Sequence, residues 1–180
     1  VRGHFFFLYL VMDVWSRKIV GHAVHDVEAG ELASCLIAEA CAREGIRRNQ
    51  LILHQDNGAP MKHGTLKAKA DQLGVHMSFS RPSVSNDNPY VEALFRTLKY
   101  RPVYPTKPFE NIAAADAWVA AFVNWYNNEH RHANIRFVTP AQRHCGDDKA
   151  ILAKRTKFYE SRRKRNPERW SGPVRNWSHI

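Results

Sequence analysis

At 180 residues the chain is long enough for one domain with a real core and short for two. Its 44% hydrophobic and 11% aromatic content suits a folded protein, and an excess of 27 Lys plus Arg over 17 Asp plus Glu leaves +10, favouring a polyanionic partner such as nucleic acid or an acidic membrane surface. No apolar run approaches the roughly 20 residues needed to cross a bilayer, and the apolar opening, bracketed by Arg2 and Asp13 with no small-residue cleavage site after it, does not read as a signal peptide.

Residues 4–13 form a continuous apolar and aromatic run that suits a strand buried on both faces. Residues 15–18 read as a turn, and 19–27 (IVGHAVHDV) as the returning strand of a hairpin. Residues 28–44 carry Leu32, Leu36, Ile37 and Ala40 at helical spacing, with Gly45 as the stop. Cys35 and Cys41 read as small buried side chains of this helix. A short strand over 51–56 runs into the turn signal Asn57-Gly58. A helix over 64–73 closes at Gly74, and a second short strand covers 75–79.

Residues 80–89 (SRPSVSNDNP) read as a polar, mobile loop, at whose end Asp87 or Asn88 can cap a helix with Pro89 in its first position. That helix runs through Glu92, Leu94, Phe95, Leu98 and Lys99 and ends near Pro102. A long amphipathic helix over 113–130 holds Trp118, Phe122, Trp125 and Tyr126, which read as helix core rather than base-stacking platforms. His130 and His132, two apart at the end of that helix, are expected to diverge. Residues 154–169 carry eight Lys or Arg against two Glu, and the closing WSGPVRNW has no clear period.

Cys35, Cys41 and Cys145 have neither a disulfide framework's number nor zinc-ligand spacing, which implies a reducing, cytoplasmic compartment. The order of elements indicates a mixed sheet covered by helices, an α/β layer architecture.

Two carboxylates stand out chemically. Phosphoryl transfer on DNA is served by paired divalent cations about 3.5–4 Å apart, held by carboxylates on rigid elements. Asp56 closes a short apolar strand, where open α/β sheets commonly bind ligands. Glu92 lies in the first turn of a helix. Each also has a structural reading: a turn residue before Asn-Gly, and a complement to the helix dipole. Asp13 is a third acid at a strand end, with a hydrogen bond or ion pair to the Arg17 turn as its structural reading. Arg96 and Lys99, four and seven residues after Glu92, share its helix face and could hold phosphates.

Together these residues resemble the insertion-sequence transposases and retroviral integrases. HQDNG at 54–58 looks like the strand-end segment with the family's second catalytic Asp, and SRPSVSNDNPYVEALFRTLKYRP at 80–102 looks like its catalytic Glu helix. The 35 residues between Asp56 and Glu92 match the spacing that names this acidic triad. DVWSRKIVGH at 13–22, WYNNEHRHANIRFVTPAQRH at 125–144 and NPERWSG at 166–172 carry the similarity along nearly the whole chain.

The resemblance implies a ribonuclease H-like mixed sheet flanked by helices. It also implies metal-dependent cleavage at transposon ends and transfer of the 3′-hydroxyl to target DNA. Asp56 and Glu92 are then catalytic metal ligands for Mg²⁺ or Mn²⁺, two ions in the intact enzyme, with Lys99 at the DNA. Arg96 and the basic cluster Arg162, Arg163, Lys164 and Arg165 are further candidate DNA contacts. DNA is the expected partner, together with self-association of the intact enzyme.

The family's first catalytic Asp lies upstream of the segment matched by 13–22, and Asp13 matches a non-catalytic position. The expectation is therefore a catalytic core over 1–145 without its first, central strand, and a basic tail over 146–180. Such a chain is expected to lack strand transfer by itself. A non-catalytic DNA-binding or transposase-interfering remnant is the alternative. A nuclease of RNA–DNA hybrids shares the fold, but the long match around Glu92 disfavours it.

Overall fold

The apolar opening run forms strand β1 (Phe7–Met12), which pairs antiparallel with β2 (Ile19–His25) from Phe7 opposite His25 to Met12 opposite Ile19. These coordinates are a computed structural model, which describes residues 5–56, 64–82 and 87–180. Strand β1 is less enclosed than its sequence suggests: Tyr9 is buried and its neighbours are half-buried. The Tyr9 hydroxyl accepts the Ala29 N–H at 2.8 Å and donates to the Ala29 carbonyl at 3.3 Å, which satisfies the one polar atom the ring brings inside.

Helix α1 (Gly30–Arg43) follows and ends where Gly45 takes φ 64. It sits close on β2 because Gly21 has no side chain: a Cβ there would lie 3.2 Å from Leu36 Cδ1. Cys41 is buried, but Cys35 is exposed, correcting the reading of both as buried. The buried stripe of α1 runs through Ala33, Leu36, Ile37, Ala40 and Cys41, and helical spacing turns position 35 away from it.

Strand β3 (Ile52–Gln55) pairs parallel with β4 (His76–Phe79), joined in sequence through helix α2 (Gly64–Leu73). Hydrogen bonding among the described strands gives two two-stranded ladders, one antiparallel and one parallel, rather than one continuous mixed sheet. One apolar cluster spans both: Tyr9, Leu36, Ile37 and Cys41 meet Leu66, Ala70 and Val75, with Leu53 and Met77 against them. Leu66 is wholly enclosed, and burial of such a side chain contributes about 1.5–3 kcal/mol.

Helix α3 (Pro89–Lys99) buries Leu94 and Leu98, and helix α4 (Ile112–Asn128) buries Ala115, Val119, Phe122 and Tyr126. Trp118 stacks on Phe122 at 6.0 Å with 9° between the rings. The aromatic run of α4 is thus core and core margin, as its periodicity indicates.

The chain divides into two compact units, Val1–Asp13 with Ile19–Val123, and Val14–Lys18 with Asn124–Ile180. In the second, helix α5 (Pro140–His144) begins with a reciprocal Thr139–Gln142 cap, and helix α6 (Asp148–Arg165) follows. Ile135, Val138, Leu152 and Trp177 form its core, with Trp177 stacked on Tyr159 at 5.6 Å. His130 and His132 do not diverge. Helix α4 stops at Asn128, His132 bridges Val138, and the two rings meet edge-on at 4.4 Å beside Tyr126. Burial, with His130 and Arg17 nearby, lowers the His132 pKa to about 4. That favours a neutral aromatic ring in the packing.

Candidate active site at the strand ends

Strands β3 and β4 are parallel, so both release the chain at the same end. Asp56 is the first residue beyond β3, exposed, immediately after the buried Gln55. The neighbouring turn signal Asn57-Gly58 lies outside the described residues. His54 knits the two strand ends: its Nδ1 lies 3.0 Å from Ser78 Oγ and its Nε2 3.3 Å from Ser80 Oγ. The Ser80 N–H donates to the Gln55 carbonyl at 3.0 Å, extending the ladder one residue past β4.

The segment after β4 is then fastened. Arg81 donates from Nε and Nη2 to the Asp87 carboxylate at 2.9 and 2.8 Å, and its backbone N–H adds a bond at 2.8 Å. A planar guanidinium fork matches a carboxylate in this way. The expected mobile loop falls largely on residues 83–86, which lie outside the described part; its described flanks are joined by the Arg81–Asp87 pair. The proposed cap is corrected too. Asp87 is occupied by Arg81, and Asn88 at the N-cap position makes no side-chain bond, so Pro89 at the first position sets the start of α3.

The hydrogen bonds from Arg81 hold the Asp87 carboxyl well below the usual carboxylate range, with a smaller contribution from His54. A lowered pKa makes the clasp's contribution complete above the ordinary Asp value of about 3.9, to be lost only as pH falls through the lowered one. In Arg81→Ala, Asp87 is expected to titrate near about 3.9, whereas in the parent it stays ionised there. Carboxyl ¹³C shifts of Asp87 followed from about pH 6 to about pH 2 read this directly. Equal titration curves in the two proteins would remove the clasp from the description.

From this fixed start α3 presents Glu92 in its first turn, with Arg96 and Lys99 one and two turns on, all three exposed. Along the chain, Asp56 follows β3 and Glu92 lies in α3, with the residues that make the His54–Ser80 and Arg81–Asp87 contacts adjacent to them in sequence. Asp56 and Glu92 are both accessible carboxylates, the hard oxygen donors that Mg²⁺ and Mn²⁺ prefer. Among the described residues no group of three His, Cys, Asp or Glu gathers as a metal cluster. The donor chemistry fits such a cation, with most of a six-coordinate shell left to water or a ligand's oxygens.

Arg162, Arg163, Lys164 and Arg165 are exposed in the last turns of α6, within the second unit. The Arg162 guanidinium lies over Phe158 at 5.1 Å. The residues that sequence reading missed are the fasteners, His54, Ser78, Ser80, Arg81 and Asp87, and Tyr100, which is 80% exposed. An Arg and an Asp six apart across a Pro- and Asn-rich turn were the available signal for the clasp. Among the described residues no helix is long and apolar enough to cross a membrane.

Residues 73–140, which include Glu92 and Lys99, match the model of the integrase core domain family. The chain is 29% identical over 136 residues to the transposase for insertion sequence element IS904 of Lactococcus lactis subsp. lactis (strain IL1403), covering 74% of this chain and 53% of that protein. It is 26% identical over 140 residues to the InsF transposase of insertion sequence IS3A of Escherichia coli (strain K12), covering 76% of this chain and 47% of that protein. The chain thus spans about half the length of the curated relatives it matches. Among solved structures it is similar to a chain of the simian T-cell lymphotropic virus intasome complex with PP2A regulatory subunit B56 gamma, with TM-score 0.63, 16% identity, and coverage of 78% of this chain and 49% of that one. It is also similar to the catalytic core domain of BIV integrase, with TM-score 0.57, 19% identity, and coverage of 84% of this chain and 89% of that one. At these identities the structural likeness shows the fold, which is ribonuclease H-like.

Proposed function

We propose that this chain is an insertion-sequence transposase of the integrase-like superfamily and serves DNA transposition, with Asp56 and Glu92 as metal-binding carboxylates of a DNA cleavage and strand-transfer site; its similarity to the integrase core domain and to insertion-sequence transposases supports this reading. The observation that supports this reading is that both carboxylates are exposed at element ends, Asp56 just beyond β3 and Glu92 in the first turn of α3. A bound pair of Mg²⁺ or Mn²⁺ ions supplies activation of the attacking oxygen and stabilisation of the leaving one. The chain's own contribution is position: a strand end fixes Asp56, and the Arg81–Asp87 clasp fixes the start of the helix that carries Glu92. Arg96 and Lys99, on the Glu92 face, hold phosphates of the reacting strand. The basic end of α6 holds DNA backbone elsewhere, and self-association on paired DNA ends accompanies the activity.

Electron paramagnetic resonance of Mn²⁺ titrated with the chain tests the site. A weak Mn²⁺ site is expected that DNA strengthens, because phosphate oxygens complete the coordination shell. Asp56→Asn or Glu92→Gln is expected to abolish it while leaving salt-sensitive DNA binding intact. Equal Mn²⁺ binding by the double variant would refute the assignment. DNA binding with no metal site and no metal-dependent nicking would favour the non-catalytic DNA-binding alternative.

A further inference from the structure

Tyr100 is the most exposed large aromatic side chain among the described residues, at 80%. It closes α3 as its C-cap, with its N–H bonded to the Arg96 carbonyl at 3.0 Å. At ~100° per residue, Glu92, Arg96 and Tyr100 step round one side of the helix at about 0°, 40° and 80°, with Lys99 near −20°. The Arg96 guanidinium lies 5.9 Å from the Tyr100 ring centroid, so cation and ring occupy the same strip of surface. The nearby aromatic residues are used differently. Tyr104 and Phe109 pack on Trp118, which lies on Phe122. An open ring among cations is the arrangement that binds unpaired nucleotides, the charges taking the phosphates and the ring taking a base.

We propose that Tyr100 is a base-stacking residue that holds an unpaired nucleotide of the DNA strand whose phosphates lie on Arg96 and Lys99. This rests on the reading of Asp56 and Glu92 as the site of DNA chemistry and adds a preference for frayed or single-stranded ends. Eight residues of helix place Tyr100 roughly 12 Å along the axis from Glu92. At ~3.4 Å per nucleotide of stacked strand, the base it takes lies three to four nucleotides from the phosphodiester at Glu92. A paired base offers no free face there, so duplex DNA gains nothing from the ring.

The test uses the full chain with two oligonucleotide duplexes, one blunt and one with a single-stranded 3′ overhang carrying 2-aminopurine at successive positions. The parent chain is expected to bind the overhang DNA at least about fivefold more tightly than the blunt one, with 2-aminopurine quenching confined to one or two positions. Tyr100→Ala is expected to lose both the preference and the quenching, with blunt-duplex affinity unchanged within about twofold. Tyr100→Trp is expected to retain them, and Arg96→Ala with Lys99→Ala to weaken both duplexes. Tyr100 buries little, so unchanged circular dichroism is expected of the Ala variant. An overhang preference that survives in Tyr100→Ala, or equal binding of the two duplexes by the parent, would overturn the stacking role while leaving the DNA reading in place. Absence of salt-sensitive DNA binding by the parent would overturn both.

Discussion

Asp148→Ala is expected to cost about 3–5 kcal/mol and to unfold the Val14–Lys18 and Asn124–Ile180 unit under mild denaturant. Asp148 is fully buried, and Arg143 is 4% exposed. Oδ1 accepts the Lys149 N–H at 2.9 Å, while Oδ2 lies 3.0 Å from His179 Nε2 and 3.6 Å from Arg143 Nη1. Arg143 Nη2 donates to the Ile180 carbonyl at 2.5 Å and its guanidinium lies 4.6 Å from the Trp15 ring centroid, but Nε and Nη1 have no hydrogen-bond partner. Asp148 is the countercharge that makes this burial tolerable. Its removal strands a cation away from water, which costs far more than a lost surface pair.

Urea unfolding measures the loss. Asp148→Asn keeps the shape and an acceptor for Lys149, so a smaller cost is expected. Arg143→Met combined with Asp148→Leu removes both charges and should recover much of the Asp148→Ala loss. If the double replacement is no better than Asp148→Ala, the stranded charge is not the cause.

The second large effect concerns α6. Four consecutive basic residues cannot all face one duplex, since successive side chains turn by ~100°. With Lys154 as origin, Lys157, Arg162, Lys164 and Arg165 fall within about 80° on either side, whereas Arg163 points to the opposite side. If this face meets DNA, Arg162→Ala with Lys164→Ala and Arg165→Ala removes three phosphate contacts. The slope of log affinity against log salt should then fall by about 2.7, so that the salt penalty over a fourfold rise shrinks by about 40-fold. Arg163→Ala alone should change the slope little. Fluorescence anisotropy with a duplex of unrelated sequence reads both variants. An unchanged slope in the triple variant would assign these charges to a solvated helix end.

Much of the fold was legible because local chemistry and final structure agree. Gly45 and Gly74 mark helix ends, and both adopt positive φ. Strands 51–56 and 75–79 are found as β3 and β4 within a residue. The positions of Asp56 at a strand end and Glu92 in a first helical turn were legible as well, since local pattern sets both. What holds them was not, because His54 meets Ser78 and Ser80 only after the strands pair.

The second unit was least legible. Nothing periodic in WSGPVRNW marks Trp177 as a core residue, because its partners Phe137 and Tyr159 lie on other segments. No local pattern marks Asp148 as buried, and only its partners Arg143 and His179 reveal a buried charge. His130 and His132 were misread because helix α4 ends two residues early, and side-chain direction depends on where a helix stops.

The Arg81–Asp87 clasp also changes what the 35-residue interval between Asp56 and Glu92 measures. Counted along the chain, that interval looks like a ruler, and any insertion should disturb it. Arg81 follows the end of β4, Asp87 precedes the start of α3, and their ion pair joins these two points of the chain. Residues added between Arg81 and Asp87 are expected to lengthen the count while leaving that pair able to form, at only a small loop-closure cost. Residues added outside that stretch, between Asp87 and Glu92, rotate the carboxylate off its face by ~100° each. The interval is thus expected to be tolerant in one part and rigid in another.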